Sequence, residues 1–332
     1  GSMMTGRVFQ DDQYLPARMV PGGEIELLPP AGNNACDQGG GILEPYAHHA
    51  MSRDGVTMGG FLWNCDNVEG RRNFIAAAAT WSEAEGWTVL DDHYDERSSR
   101  VNALSNEGTA VGWAQRPTGW WEGRVWKDGE TINLREAAPE GTMDVGQATG
   151  VSADGRTVVG INHWDTDWNQ RGFRYDVPTG EFEVLDIAEE CPWWDWFCFG
   201  AKPFNPYDIA DDGTMVGAIG TASGAGATIV NDVLGTQKLT DFLRGQGVIN
   251  ANDLGIASTA TRVSRNGRHM VGWTAVDGYF ASWKLSLDQL WVCRKGRSQK
   301  VGYPGGVASQ LATGAELGLC EADRPKQYKD NY

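Results

Sequence analysis

"GVSADGRTVVG", residues 150–160, decides the fold. An apolar run enters a Ser-Ala-Asp-Gly turn and a second apolar run leaves it. Asp-Gly between apolar runs is a strong local hairpin signal, because glycine accepts the positive φ of a tight turn without steric cost. The pattern recurs as AMSRDGVTMGG (50–60), ALSNEGTAVGW (103–113), DIADDGTMVGA (208–218) and RVSRNGRHMVG (262–272). The turn glycines Gly55, Gly108, Gly155, Gly213 and Gly267 are spaced by 53, 47, 58 and 54 residues. Self-similarity at that period marks a repeat architecture.

Each hairpin is followed by a second, weaker pair of strands, as in GRVWKDGETINL (123–134) and RGFRYDVPTGEFEVL (171–185), where apolar and polar residues alternate around a glycine turn. A unit is therefore four antiparallel strands. One such sheet exposes two apolar faces, so the sheets must pack on one another. Radial packing gives a β-propeller, which also protects strand edges, and a linear stack is the alternative. The expectation is an all-β, five-bladed β-propeller over residues 1–290, with repeats starting near 45, 99, 146, 205 and 257. Residues 291–332 form a small Cys-bounded C-terminal extension. GEIELL (23–28) matches GEFEVL (180–185), so an N-terminal strand over 23–28 is expected to complete the last blade; RVFQ (7–10) also resembles RVWK (124–127).

The VSxDGxxVVG hairpin followed by an aromatic strand resembles the HAF-type bacterial extracellular repeat, over roughly residues 45–285. Val292 to Cys320 resembles a small Cys-bounded module of bacterial surface proteins. Such modules carry histidines near the middle, where this chain has Arg294, Gln310 and Thr313. The resemblance implies export and a repeat fold, and implies no catalytic residues.

The chain has 332 residues, 44 glycines, 15 tryptophans and a formal net charge of −16. That charge excludes nucleic acid bound by bulk attraction, which needs clustered Lys and Arg. No apolar run reaches the length of a membrane span. The six cysteines fall into neighbouring pairs, Cys36 with Cys65, Cys191 with Cys198 and Cys293 with Cys320, the simplest of fifteen pairings. There is no Cys-x-x-Cys and only five histidines, so no metal or cofactor is expected; Asp165 and Asp167 could offer oxygens to calcium but lack a full calcium loop. An even cysteine count without metal spacing points to a secreted, periplasmic or cell-surface protein. The leading Gly1–Met4 reads as a cloning remnant, so any native signal peptide is expected to have been removed and its absence says nothing.

In a propeller, the loops from second to third strands and from fourth strands to the next repeat share one face. Here these are AQRPTGWWEGR (114–124), NHWDTDWNQRG (162–172) and AEECPWWDWFCFGAKPFNPY (188–207). Long loops on a rigid scaffold are where binding is built. Trp120, Trp121, Trp164, Trp168, Trp193, Trp194 and Trp196 offer flat faces for the C–H faces of sugar rings. Glu122, His163, Asp165, Asp167 and Asp195 would hydrogen-bond hydroxyls. A glycan or polysaccharide is the expected partner; an extracellular protein is the other, since tryptophan is enriched in interfaces. The bland reading is that the indoles only cover gaps between blades.

Six residues before each turn glycine lie His49, Asn102, Thr149, Tyr207 and Thr261, a polar layer expected to ring a channel, with Arg100, Gln147 and Asn205 two residues further out. Satisfied polar groups around water are the bland reading here. The catalytic reading takes His49 as base, Tyr207 as acid and Arg100 as the partner of a substrate carboxylate, a set suited to a polysaccharide lyase working by β-elimination. A glycoside hydrolase using a pair such as Asp165 and Asp208 is the variant. No G-x-S-x-G, P-loop or dinucleotide motif occurs.

Overall fold

A computed structural model describes residues 4–10, 13–20, 22–28, 50–64, 75–90, 97–141, 144–162, 171–185, 187–189, 202–219, 226–248, 259–276 and 279–324. The chain is all-β, and each of the five repeats becomes an antiparallel sheet of the propeller-blade kind. Repeat one pairs Ala50–Met51, Thr57–Asn64, Ile75–Ser82 and Gly86–Val89 in sequential order. Repeat two does the same with Ser99–Leu104, Ala110–Gln115, Trp121–Lys127 and Glu130–Asn133. Repeats three and four follow, starting at Val145–Val151 and Lys202–Ile209, and repeat five has three described strands, Thr259–Val263, His269–Val276 and Tyr279–Ser286. The chain divides into two compact units, residues 1–184 and 185–332.

The recurring serine and aspartate lock the hairpin. In repeat three, Ser152 Oγ donates to Asp154 Oδ1 at 2.6 Å and accepts from the Thr157 N–H at 3.0 Å. Asp154 Oδ1 also accepts from the Arg156 N–H, and Gly155 has φ 70°. Repeat one repeats the set with Ser52, Asp54 and Thr57; repeat five replaces the aspartate by Asn266. The tips then pin neighbours together. In the first unit Asn106 N–H donates to Ala153 O, and Arg53 Nη1 donates to Val151 O. In the second, Asp211 N–H donates to Arg265 O while Arg265 Nε donates to Asp211 Oδ2 at 2.7 Å.

The motif's second glycine has a different cause. In repeats two to five the first strand of the hairpin carries one extra residue, a β-bulge, at Asn102, Thr149, Tyr207 and Thr261. Two residues before each bulge a carbonyl oxygen approaches the second strand. A Cβ added at Gly112, Gly160, Gly217 or Gly272 would lie 1.9, 2.2, 2.0 or 2.1 Å from the oxygens of Arg100, Gln147, Asn205 and Thr259. No side chain fits there. The four bulge residues are also the described members of the polar layer.

The first unit's main core joins repeats two and three through Val111, Val125, Leu134, Val145 and Phe173. In the second unit Val216, Ile229, Phe242 and Met270 share one cluster with Leu290, Val292, Tyr303 and Val307. The C-terminal residues are therefore not a detached extension. Asn231 Nδ2 also donates to Tyr303 Oη at 2.6 Å, and Leu319 N–H donates to Gly245 O. The expected Cys293–Cys320 disulfide is formed. Where the resembling modules carry histidines, Arg294 Nη1 donates to Gln310 Oε1 at 3.2 Å and Thr313 Oγ1 donates to Gln310 O.

The expected N-terminal strand forms at Ile25–Leu27, but its described hydrogen bonds go to Gln13–Met19, which also pairs with Met4–Gln10. Together the three strands make an antiparallel sheet in chain order.

Gly112→Ala should destabilise the protein by about 2–4 kcal/mol, because the new methyl meets a backbone oxygen that cannot move away. Gly226→Ala, with nothing within 4 Å of the added Cβ, should be near neutral. Urea denaturation midpoints compare the two.

Candidate functional site

The described part of the aromatic loop face belongs to repeat two. Arg116–Trp120 forms a tight turn in which Gly119 N–H donates to Arg116 O and Arg116 N–H donates to Trp120 O, both at 2.8 Å. Gly119 supplies the φ of 88° that the turn needs. Side-chain contacts of three arginines, one of them the turn's own Arg116, anchor it. Arg97 Nη2 donates to Pro117 O at 2.7 Å, while Arg116 and Arg135 both grip Asp144, at 2.9 and 2.8 Å. A loop held at that many points presents its aromatic residue without ordering on contact.

Trp120 stands at the tip of this turn, 47% exposed. Trp121 enters the third strand opposite Gln115, and Trp113 lies opposite Gly123, which makes the two indoles diagonal neighbours on one face. Their rings stack at 4.6 Å with planes 12° apart. The Arg100 guanidinium lies 5.5 Å from the Trp113 ring centre, within cation–π range. Arg100 Nε donates to Asn102 Oδ1 at 3.0 Å. Asn102 Nδ2 in turn reaches repeat three, donating to Ala148 O at 2.8 Å and Gln147 Oε1 at 3.3 Å. The bulge at Asn102 is what aims this amide across to the next sheet. The result is a continuous line of Trp121, Trp113, Arg100, Asn102 and Gln147, with the buried Trp113 Nε1 lacking a hydrogen-bond partner among the described residues.

Glu122 does not belong to this face. Strand side chains alternate, so the residue after Trp121 points to the opposite side. There it is 2% exposed and forms a short ion pair with Arg124. A carboxylate so enclosed holds its guanidinium and is closed to a ligand's hydroxyls. Asp208 is likewise structural: it is 3% exposed and accepts from the Val263 N–H at 2.9 Å, tying repeat four to repeat five.

Tyr207, the bulge residue of repeat four, is partly buried, and burial raises its phenol above the usual 10.0. It therefore stays protonated near neutral pH and can donate. The other bulge residues are tied back locally, Thr149 Oγ1 to Val159 O and Thr261 Oγ1 to Val271 O. His49, His163, Trp164, Asp165, Asp167, Trp168, Trp193, Trp194, Asp195 and Trp196 lie outside the described residues, as do Cys36, Cys65, Cys191 and Cys198. Among the described residues no three His, Cys, Asp or Glu side chains are placed to hold a metal ion, and no helix is long and apolar enough to cross a membrane.

Sequence reasoning missed Trp113, Arg97 and Arg116. A signal for Trp113 existed. It follows the bulge-facing Gly112 directly, so strand alternation places its indole beside Arg100 on the paired strand.

No protein-family model matches the chain and no curated protein does, so the HAF-type resemblance has no family match behind it. Solved structures are similar to it at low identity. TolB from Acinetobacter baumannii is 13% identical with a TM-score of 0.41, covering 69% of this chain and 49% of that one. The chain thus spans about half the length of that protein. An oligogalacturonate lyase from Vibrio parahaemolyticus is 11% identical with a TM-score of 0.42, covering 86% and 87%. The β-propeller domain of the Trilobed protease from Pyrococcus furiosus is 9% identical with a TM-score of 0.39, covering 90% and 94%. At these scores the likenesses carry no argument about chemistry.

Glu122→Gln should cost about 2–4 kcal/mol of stability by leaving the buried Arg124 charge uncompensated, with no change in ligand affinity. Denaturant melts beside binding isotherms separate the two effects. The Tyr207 phenol holds its proton more tightly in the folded state than in the unfolded chain. Its contribution is intact below about pH 10 and is lost as pH rises through the raised folded value. Tyr207→Phe should therefore flatten the alkaline limb of the stability profile, read by thermal melts across that range.

Proposed function

We propose that this protein recognises an extended glycan through the tryptophan-bearing edge of repeat two. The observation that carries the reading is Trp120, exposed at the tip of a multiply anchored turn, beside the Trp121–Trp113 stack capped by Arg100. An indole face packs against the C–H face of a pyranose, and a rigid platform keeps the ordering cost of that contact low. Arg100 and the Gln147 amide continue the line with groups that bond hydroxyls or a sugar carboxylate, and the buried Asn102 holds the two together. A disulfide between Cys293 and Cys320 suits an oxidising compartment, so the reading places the protein outside the cytoplasm, secreted, periplasmic or on the cell surface.

One observation favours a second reading, a polysaccharide lyase. Tyr207 sits on a β-bulge, a feature over-represented beside active sites, and burial keeps its phenol protonated and able to donate. In that reading Tyr207 supplies the proton-donating group of a β-elimination on a uronic-acid polymer.

Calorimetric titration with polygalacturonate, alginate and neutral polysaccharides tests the first reading, and ultraviolet absorbance of unsaturated products tests the second. Trp120→Ala should weaken glycan binding about tenfold, equivalent to about 1.4 kcal/mol, without loss of stability. Binding unchanged in that variant, or absent for every polysaccharide, would overturn glycan recognition at this edge. Product formation that survives Tyr207→Phe would remove the lyase assignment.

A further inference from the structure

At the other end of the repeat-two sheet, within the first unit, a cleft of about 230 Å³ opens between repeats one and two. Its floor is Leu90, Leu104 and Trp126, and its wall carries the hydroxyls of Thr57, Thr80, Ser82 and Thr88. Those four lie on one face of the repeat-one sheet, because Thr57 pairs with Ser82, and Thr80 pairs with Thr88 on one side and Gly59 on the other.

That face differs from its counterparts in repeats two and four, whereas repeats three and five carry Arg174 and Lys284 in the second position of the row. The cross-strand row Gly59, Thr80, Thr88 of repeat one corresponds to Val111, Val125, Ile132 of repeat two, in the same register and just before the bulge-facing glycine. Val111, Val125 and Ile132 fill the space against repeat three. Repeat four places Val216 and Ile229 in the first two positions, both inside the second unit's core. At Gly59 the space is already taken by Val101 and Leu104, which an added Cβ would meet at 2.8 and 2.9 Å. Repeat one therefore has two threonines, Thr80 and Thr88, where repeat two has the branched aliphatic Val125 and Ile132. Exchanging valine for threonine adds a hydroxyl that must be satisfied.

The chemistry of the lining defines the occupant. Each threonine hydroxyl can donate once and accept twice, and those of Thr57, Thr80 and Thr88 make no hydrogen bond among the described residues. At the rim stand Glu85, Asp128 and Glu130 against the single ammonium of Lys127, an excess of carboxylates that repels an anion. Gly108 and Gly129 leave the mouth open, since a Cβ on either would meet nothing within 4 Å. An apolar floor facing a wall of hydroxyls fits a ring with one C–H face and a hydroxyl rim. The volume lies below the roughly 300 Å³ at which drug-sized pockets begin, so it holds one ring and not a chain. We infer that this cleft binds a single uncharged monosaccharide. The inference does not rest on the tryptophan edge of repeat two, which lies at the far end of the Trp121–Lys127 strand.

The test uses the full chain with D-glucose, D-galactose, D-mannose and D-xylose as probes, D-glucuronate as the anionic control, and saturation-transfer NMR titration as the readout. The informative variant is Thr80→Val with Thr88→Ile, which installs repeat two's residues. At least one neutral sugar should bind, at least tenfold more tightly than glucuronate. The double variant should lose that binding by at least tenfold while melting at the same or a higher temperature. Thr80→Val alone serves if the double variant does not fold. Trp120→Ala should leave monosaccharide binding unchanged, and the double variant should leave polysaccharide binding unchanged, so failure at one site is distinguishable from failure at the other. Absence of binding for all four neutral sugars overturns the inference. So does binding that persists in the filled variant.

Discussion

The carbonyl oxygens of Arg100, Gln147, Asn205 and Thr259 each point at a glycine across the hairpin, and much of the repeat is arranged around that approach. A bulge shortens the distance between the paired strands locally, and the extra residue it leaves out of register turns its side chain away from the ladder. The glycine is thus needed for a steric reason on the second strand, and a polar bulge residue on the first strand is its counterpart. Four repeats in two separate units share this geometry. The serine and aspartate of the turn then hold the hairpin closed from its other end, and the turn tips fasten one repeat to the next.

With the backbone held so tightly, the differences between repeats become meaningful. Thr149 and Thr261 use their hydroxyls on a neighbouring strand's carbonyl, a local and structural use. Asn102 instead bridges to repeat three and receives Arg100, which continues into two stacked indoles. The same fold position therefore carries a satisfied hydroxyl in one repeat and the start of a polar and aromatic line in another. Repeat one shows the converse, where a row that is aliphatic in repeat two turns to glycine and threonine. Both deviations occur at opposite edges of repeat two's sheet, which is otherwise among the most deeply buried parts of the first unit.

The charge balance behaves similarly. A net charge of −16 describes the whole chain, yet the turn beneath Trp120 is held by Arg97 and Arg116, with Arg100 and Arg135 close by in the same repeat. Several of these guanidinium groups are committed to carbonyl or carboxylate partners, so they act first as fasteners of the aromatic turn. Bulk charge sets which partners approach, and the local pairing sets what the loop can hold.

The amino-acid sequence by itself determined the number of repeats, the position of every hairpin and the polar residues that prove to be bulges. Those features rest on local rules: glycine at positive φ, a turn aspartate, and apolar alternation with period two. The closing disulfide between Cys293 and Cys320 was also legible from proximity. Tertiary structure decided the rest. Trp120, Trp121 and Glu122 are adjacent in the chain, but alternation in a strand sends Glu122 to a buried ion pair on the other face. GEIELL was recognisable as a strand, and the fold adds its pairing with Gln13–Met19, which a period-two pattern does not encode. In the C-terminal residues, Leu290, Val292 and Val307 join the same core as repeats four and five. Burial against a distant segment leaves no mark on a local pattern, and only the packed fold can show it.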